Sequence, residues 1–345
     1  SKEKARVLSV DNSMLQELGL LQMGTQLLEV EVISGQHKGR TFQAVNELRA
    51  QMELDKIFVP GDTALVGILD GSQPGKSVII AQDHYRITWT WLLFGIFTLS
   101  LLIFAGYTGL KALLSFVFSC VVLWRFLIPL CLMEVSPLGV TIVCVCLLTF
   151  VIIFLVAGFT RKGAAAFTGA MMGIVTGCAM SYLFTLLFKV NGAVLPYSQS
   201  LLYAGYPTLD IQQLFAAAII LASSGAVMDL GMDVAAGMEE INRHSPDIPR
   251  RSLIASGIRI GQSVVGTMTT TLLLAYSGGY LTLLMAFTAQ GTSPIDFINN
   301  PHVASEVVKT LVGSFSLILV APFTALAGGF IYKRGISTVQ HKKEQ

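Results

Sequence analysis

The sequence predicts a polytopic α-helical membrane protein of about seven transmembrane helices, preceded by a small N-terminal extracytoplasmic β-domain, OB-like or another small barrel. Three observations carry this. Hydrophobic residues make up 53% of the chain and charged residues 13%, at a mean hydropathy of +0.67, a balance outside that of soluble globular proteins. Apolar runs of bilayer-spanning length recur from Thr88 onward. Residues 1–86 depart from that pattern, with ordinary polar composition and short β-branched runs between glycine turns.

In the N-terminal part the strand-like runs are Ala5–Val10, Gln26–Val32, Thr41–Val45, Thr63–Ile68 and Ser77–Ile80. Turn signals separate them at Ser34-Gly35, Lys38-Gly39, Pro60-Gly61, Asp70-Gly71 and Pro74-Gly75. Short strands at close spacing read as a small barrel or sandwich. Val59-Pro60-Gly61-Asp62 marks a strand entry and carries no catalytic pattern. No phosphate loop or His/Cys cluster occurs here.

Spans are expected at about 88–106, 110–132, 137–159, 164–188, 212–238, 252–276 and 305–332. Segment 279–291 is short and glycine-flanked, with Pro294 and Pro301 after it; it reads as re-entrant, as a surface helix or as an eighth crossing. Basic residues decide the orientation. Lys111, Arg161, Lys162, Arg243, Arg250 and Arg251 collect on one side, whereas the opposite loops hold Glu134 and only Lys189. This places the β-domain outside and the tail (Lys333, Arg334, Lys342, Lys343) in the cytoplasm, so an odd number of spans is required and 279–291 is taken as not crossing. Trp89 and Trp91 fit the outer interface. The expected organisation is a β-domain at 1–86, a helical domain at 87–334 and a tail at 335–345. The sequence opens on Ser1, and a signal or anchor helix is expected upstream.

The candidate functional residues sit in two apolar segments joined by a charged link, Glu239–Arg251. Asp229 and Asp233 are four apart and share a helix face. Ser256, Arg259, Ser263, Thr267 and Thr270 form one polar stripe on the next segment. A charge at membrane depth costs about 3 kcal/mol on insertion scales, so such residues mark a pathway, a relay or a partner. Counting outward from the ends of the link puts Arg259 between the two carboxylates in depth. Two readings follow: a proton- or cation-coupling pair, or a structural ion pair with Arg259. Gln262, Ser263, Thr267 and Thr270 either line a path or bond their own backbone. Glu239 is either a gate or a solvated helix end. Glu306 is either path-lining or a first-turn residue that favours the helix dipole. Pro322 is expected to kink the last span, Arg125 to snorkel to the interface, and residues 189–211 to cap the bundle. Glycines 257, 261 and 266, opposite 225, 231 and 237, are expected to let the two segments approach closely.

Cys120, Cys131, Cys144, Cys146 and Cys178 all lie in apolar segments without metal-ligand or redox spacing, and read as packing residues. No cofactor, metal or nucleic acid is expected. Nor is an enzyme, because no Ser/Lys, His-Glu-x-x-His or Gly-x-Gly-Asp arrangement occurs in the spans.

Gly225-Ala226-Val227-Met228-Asp229 through Asp233, Gly266-Thr267-Met268-Thr269-Thr270 with Leu272–Tyr276, and Glu306 with Leu311-Val312-Gly313-Ser314 and Pro322-Phe323-Thr324-Ala325 resemble the YibE/F family of bacterial membrane proteins. The leader, with His37-Lys38-Gly39 and Asn46-Glu47-Leu48, is also similar. The resemblance implies a multi-pass protein of the bacterial plasma membrane. Where family members often carry a charged pair, this chain has Gln262 and Ser263. About fifty residues, from Gly225 through Thr271, are also similar to the proton-driven exporters that include SecD/SecF and the RND pumps. Together these readings lead to the expectation of an inner-membrane transporter or exporter coupled to a proton or cation, moving an unknown small solute or ion. A homo-oligomer or a paralogous membrane partner fits the same features. The alternative is a non-transporting assembly factor or sensor whose β-domain binds a partner.

Overall fold

Five strands close into a barrel in the order β1-β2-β3-β5-β4, with β4 returning to β1. The computed structural model describes residues 1–19, 21–52, 54–69, 78–133 and 135–333; the turn signals at 70–75, Ser77, Glu134 and the tail from Arg334 lie outside the described residues. The strands are β1 (Lys2–Leu18), β2 (Leu21–Val32), β3 (Thr41–Arg49), β4 (Thr63–Leu69) and β5 (Val78–His84). Neighbours are antiparallel except the parallel pair β3/β5. β1 is longer than expected because it serves two partners. Irregularities between Val7 and Ser9 and between Asp11 and Met14 bend it, so that Lys2–Arg6 can also pair with Thr63–Gly67. Alternate residues point inward: Ala5, Val7, Leu28, Val30, Val32, Ala44, Phe58, Ala64, Val66 and Ile79 fill the interior.

Two buried polar side chains hold the 50–58 segment to this barrel. Gln26 donates to Asn12 Oδ1 (2.9 Å) and the Phe58 carbonyl (3.0 Å), and accepts from the Phe58 N–H and from Asn46 Nδ2. Asn46 also donates to the Lys56 carbonyl. A second clasp ties β1 to the 34–40 turn. Glu3, 3% exposed, accepts from the Gln36 and His37 N–H groups, and His37 Nδ1 lies 2.9 Å from its Oε1. Burial opposes the Glu3 charge, but the bonds from the His37 ring and N–H and from the Ser1 hydroxyl outweigh it and hold the carboxyl below its ordinary value.

The chain divides into two compact units between Ser100 and Leu101. Helix α1 (Ile87–Val122) is broken at Gly106, whose φ of 53° and ψ of −126° lie outside helical space and suit glycine alone. The Leu101 carbonyl lies 2.5 Å from where a Gly109 Cβ would be, whereas an unbroken helix would separate these residues by about 12 Å. The chain therefore turns back on itself between Leu101 and Gly109. A π-helical turn, Leu123–Leu127, precedes α2 (Ile128–Leu132). Pro129 explains it: its ring has no N–H to give the Arg125 carbonyl and crowds that group.

Hydroxyl, carboxylate and carboxamide caps set several later starts. Ser136 caps α3 (Pro137–Ala157), Thr160 caps α4 (Arg161–Leu187), Asp210 caps α6 (Ile211–His244) and Asn300 caps α10 (Pro301–Tyr332). Between them lie α5 (Ser198–Tyr203), α7 (Arg250–Gly279), α8 (Leu281–Ala289) and α9 (Pro294–Asn299). Among the described residues five helical stretches are long and apolar enough to cross a bilayer, or six if α7 and α8, bent by 65°, form one span; the stretch broken at Gly106 is one of the five. α8 has nine residues, too few to cross alone. α10 continues as helix through Pro322.

α10 packs on α4, α6 and α7. Gly169, Gly173 and Gly177 on α4 face Thr324, Val320 and Ser316, where any side chain would collide. Val145, Ala166, Ile174, Val227, Leu230, Leu317 and Val320 fill the surrounding core. At one end Val190 and Val194 from the 189–211 connection pack on Phe215, Ile219, Val308 and Val312, as the expected cap does.

The Glu3 clasp makes the barrel acid-sensitive. Because the folded carboxyl lies below its ordinary value of 4.5, its contribution is complete above that value and is lost as pH falls through the depressed one. Amide-exchange protection of Val7 and Val32, corrected for intrinsic rates, should fall with acidification in the intact protein. Glu3→Gln should lower protection at neutral pH and flatten this dependence.

Candidate functional site

α6 and α7 form an antiparallel pair joined by residues 245–249, and their contacts fix relative depth. Gly237 abuts Ile260, Gly257 abuts Met238, and Gly261 abuts Val234. Arg259 is thus level with residues 236–238, about one turn nearer the link than Asp233 and two turns nearer than Asp229. The count from the sequence had placed it between the carboxylates. It erred because α6 continues past Glu239 to His244, so the two helices are not flush at the assumed link ends.

α10 covers one side of this pair, with Val320 and Thr324 against Gly231 and Ala321 against Gly261. The opposite side is bare. On α6 it presents Ala222, Gly225, Asp229, Asp233 and Ala236; on α7 it presents Arg259, Gln262, Ser263, Gly266, Thr267, Thr270 and Thr271. All are exposed, and their three- and four-residue spacing makes each set one continuous face. Gly225 and Gly266 meet nothing where a Cβ would stand, so they do not mediate the α6–α7 contact, and Gly231 serves α4 and α10 instead. Gly257, Gly261 and Gly237 do allow close packing.

The charged groups of this face share it without pairing. Among the described residues, the side chains of Asp229, Asp233, Arg259 and Gln262 make no hydrogen bond or ion pair. The hydroxyls are satisfied locally: Ser263 donates to the Ile260 carbonyl (2.7 Å), Thr267 to Val264 (2.8 Å), Thr270 to Gly266 (3.1 Å) and Thr271 to Thr267 (3.0 Å). This leaves the carboxylates, the guanidinium and the Gln262 carboxamide as the face's free bonding capacity. Glu239 is apart from it, 3.9 Å from Lys162 at the start of α4, while Glu240 accepts from Arg243 and contacts His244.

Glu306 belongs to a second, opposite kind of site. α10 begins at Pro301, so Glu306 lies in the second turn rather than the first. Its Oε1 accepts from Lys309 at 2.6 Å, with both side chains largely buried. Lys309 also donates to the Tyr280 hydroxyl (3.2 Å) and sits over the Phe215 and Tyr280 rings. Glu306 Oε2 and the Tyr276 hydroxyl are buried without a partner among the described residues. Glu306 borders an apolar cavity of about 300 Å³ lined by Leu273, Tyr280, Leu284, Phe297, Val303 and Leu311. The sequence reading assigns no role to Tyr276, at the end of an expected span, or to Tyr280, in the short segment 279–291. An acid and an amine three residues apart in an apolar helix were the available signal.

The cysteines are free; Cys131 and Cys144 are buried in one apolar cluster with Val122, Leu127, Val140 and Leu148. Arg125 is exposed in the π-helical turn.

A family model described as YibE/F-like protein matches residues 93–334, more than two thirds of the chain. No curated protein and no solved structure matches it.

Removing one partner of the Glu306–Lys309 pair should be worse than removing both. Lys309→Met strands a buried carboxylate and should cost about 3–5 kcal/mol, read as a lowered midpoint of thermal unfolding in detergent. Glu306→Gln combined with Lys309→Met should recover most of that loss.

Proposed function

This chain belongs to the YibE/F-like family, and from that premise we propose a transporter or exporter of the bacterial plasma membrane in which Asp229 and Asp233 couple movement of a small solute to a proton or cation. The observation that carries this is the bare polar face. Two carboxylates one turn apart, on a helix buried on its other sides, have no hydrogen-bond or ion-pair partner among the described residues. Like charges this close repel, so loading a proton or a cation on either relieves the pair. Arg259, one turn away, is the counter-charge whose pairing would change with loading. Gln262, Ser263, Thr267 and Thr270 would line the path beside it, with Glu306 and its cavity toward one end and Glu239 toward the other. A change in the charge of the pair alters how the α6 and α7 faces pack, and so favours one arrangement of the helices over another. In this reading the chain is not an enzyme, the β-domain lies outside and the C-terminus lies in the cytoplasm.

One observation favours a second reading, a partner-binding assembly factor or sensor. Met52, Leu54 and Ile57 are exposed on the barrel, and Met52 and Ile57 border a groove with Leu21, Leu48 and Asp55. Methionine-rich surfaces suit adaptable protein contacts.

The two readings separate in proteoliposomes carrying a pH dye inside. Under an imposed pH gradient with sodium or potassium as the test cation, wild type should move protons. Asp229→Asn and Asp233→Asn should each slow this by about tenfold or more, and Asp→Glu should restore part of it. Unchanged flux in both Asn variants ends the coupling role.

A further inference from the structure

We propose that the bare face of α6 and α7 is covered by a second copy of this chain, in a two-fold dimer whose axis lies along the membrane normal. In it, Arg259 of the partner subunit sets its guanidinium against Asp233, and the reverse. This rests on the helices lying in a bilayer, not on transport.

The first ground is energetic. Each charge turned to hydrocarbon costs about 3 kcal/mol, and a folded domain has little stability to spare. α10 lies on the far side of the pair, and among the described residues nothing pairs with Asp229, Asp233 or Arg259, all three of which remain exposed. Something other than lipid tails must meet them.

The second ground identifies the occupant. The face carries both signs, two acids on one helix and a base on the next, so it complements itself. A two-fold axis along the normal keeps every residue at its own depth in both copies and sets α7 of one against α6 of the other. Arg259 and Asp233 differ in depth by about 6 Å, within the reach of an arginine side chain. Inside one chain the two do not pair. Between copies they can, in a bidentate geometry that an arginine and a carboxylate favour. Ala222, Gly225 and Gly266 lie on the same face with open space before the two glycines, which lets a second backbone come close. Two such faces together would enclose Asp229 and both hydroxyl stripes between the copies.

The test reads association, not flux. In a background with all five cysteines replaced by alanine, Ala222→Cys and Thr267→Cys should cross-link with a short bis-maleimide to a species of twice the chain mass in native membranes. Val143→Cys, exposed on α3, should not. Single-molecule photobleaching of fluorescently tagged wild type in dilute liposomes should give mainly two steps. Arg259→Glu should cut the two-step fraction about tenfold, and Arg259→Glu with Asp233→Arg should restore it. Single-step bleaching of wild type, cross-linking as strong at Val143 as at the face, or an adduct of another mass would each overturn the proposal. The last outcome would give the face to a different membrane protein. A monomer that still moves protons ends the dimer and leaves the transport reading standing; a dimer without flux does the reverse.

Discussion

The helical unit depends on how closely its helices can approach α10. Hydrocarbon offers no solvent-driven reason for apolar helices to associate, so contact has to come from fit. Here the fit is a seam of missing side chains. Gly169, Gly173 and Gly177 lie against Thr324, Val320 and Ser316, and Gly257 and Gly261 lie against Ala325 and Ala321. With α10 held on both sides, α6 and α7 are oriented by default: Gly231 on α6 and Gly257 and Gly261 on α7 turn toward it, and what lies on the other side of each helix turns out. The polar face is therefore a consequence of the same seam that makes the core.

The barrel solves a different problem. It is small, and its interior is closed by β-branched and small apolar residues that alternate with solvent-facing ones. What such a barrel cannot fix by burial alone is where its long connections lie. Gln26 and Asn46 do this for the 50–58 segment, and Glu3 does it for the 34–40 turn, each through several hydrogen bonds made inside the fold.

Much of this was legible from the residues. Strand positions followed from alternation, and helix positions followed from apolar length, because both signals are local. The break at Gly106 fell in the gap left between the first two spans. Register between helices was less legible, because it depends on where helices end in water. Glu239, Glu240, Arg243 and His244 read as a charged link, yet such residues at three- and four-residue spacing support one another on an exposed helix, and α6 ran on through them. That shift moved Arg259 out from between the carboxylates. Glu306 was misjudged for a related reason. Asn300-Pro301 is a cap followed by a proline at the first helical position, and starting the last span after it hid a full turn of helix.

The two charged sites differ in a way that assigns them different tasks. At Glu306 the chain supplies the base, the hydroxyl and the aromatic faces itself, so one carboxyl oxygen and two of the three ammonium donors are partnered where they stand. A pair tied in this way to Tyr280 and Phe215 holds helices in register. At Asp229 and Asp233 the described residues supply no partner, although α10, α4 and α3 surround the rest of the same helix. Leaving two acids and a base uncovered at that depth is stable only if something else, a loaded ion or a second protein surface, completes the bonding. A site that is incomplete in one chain is the kind whose occupancy can change, and that is why the proposed coupling role falls on the bare face.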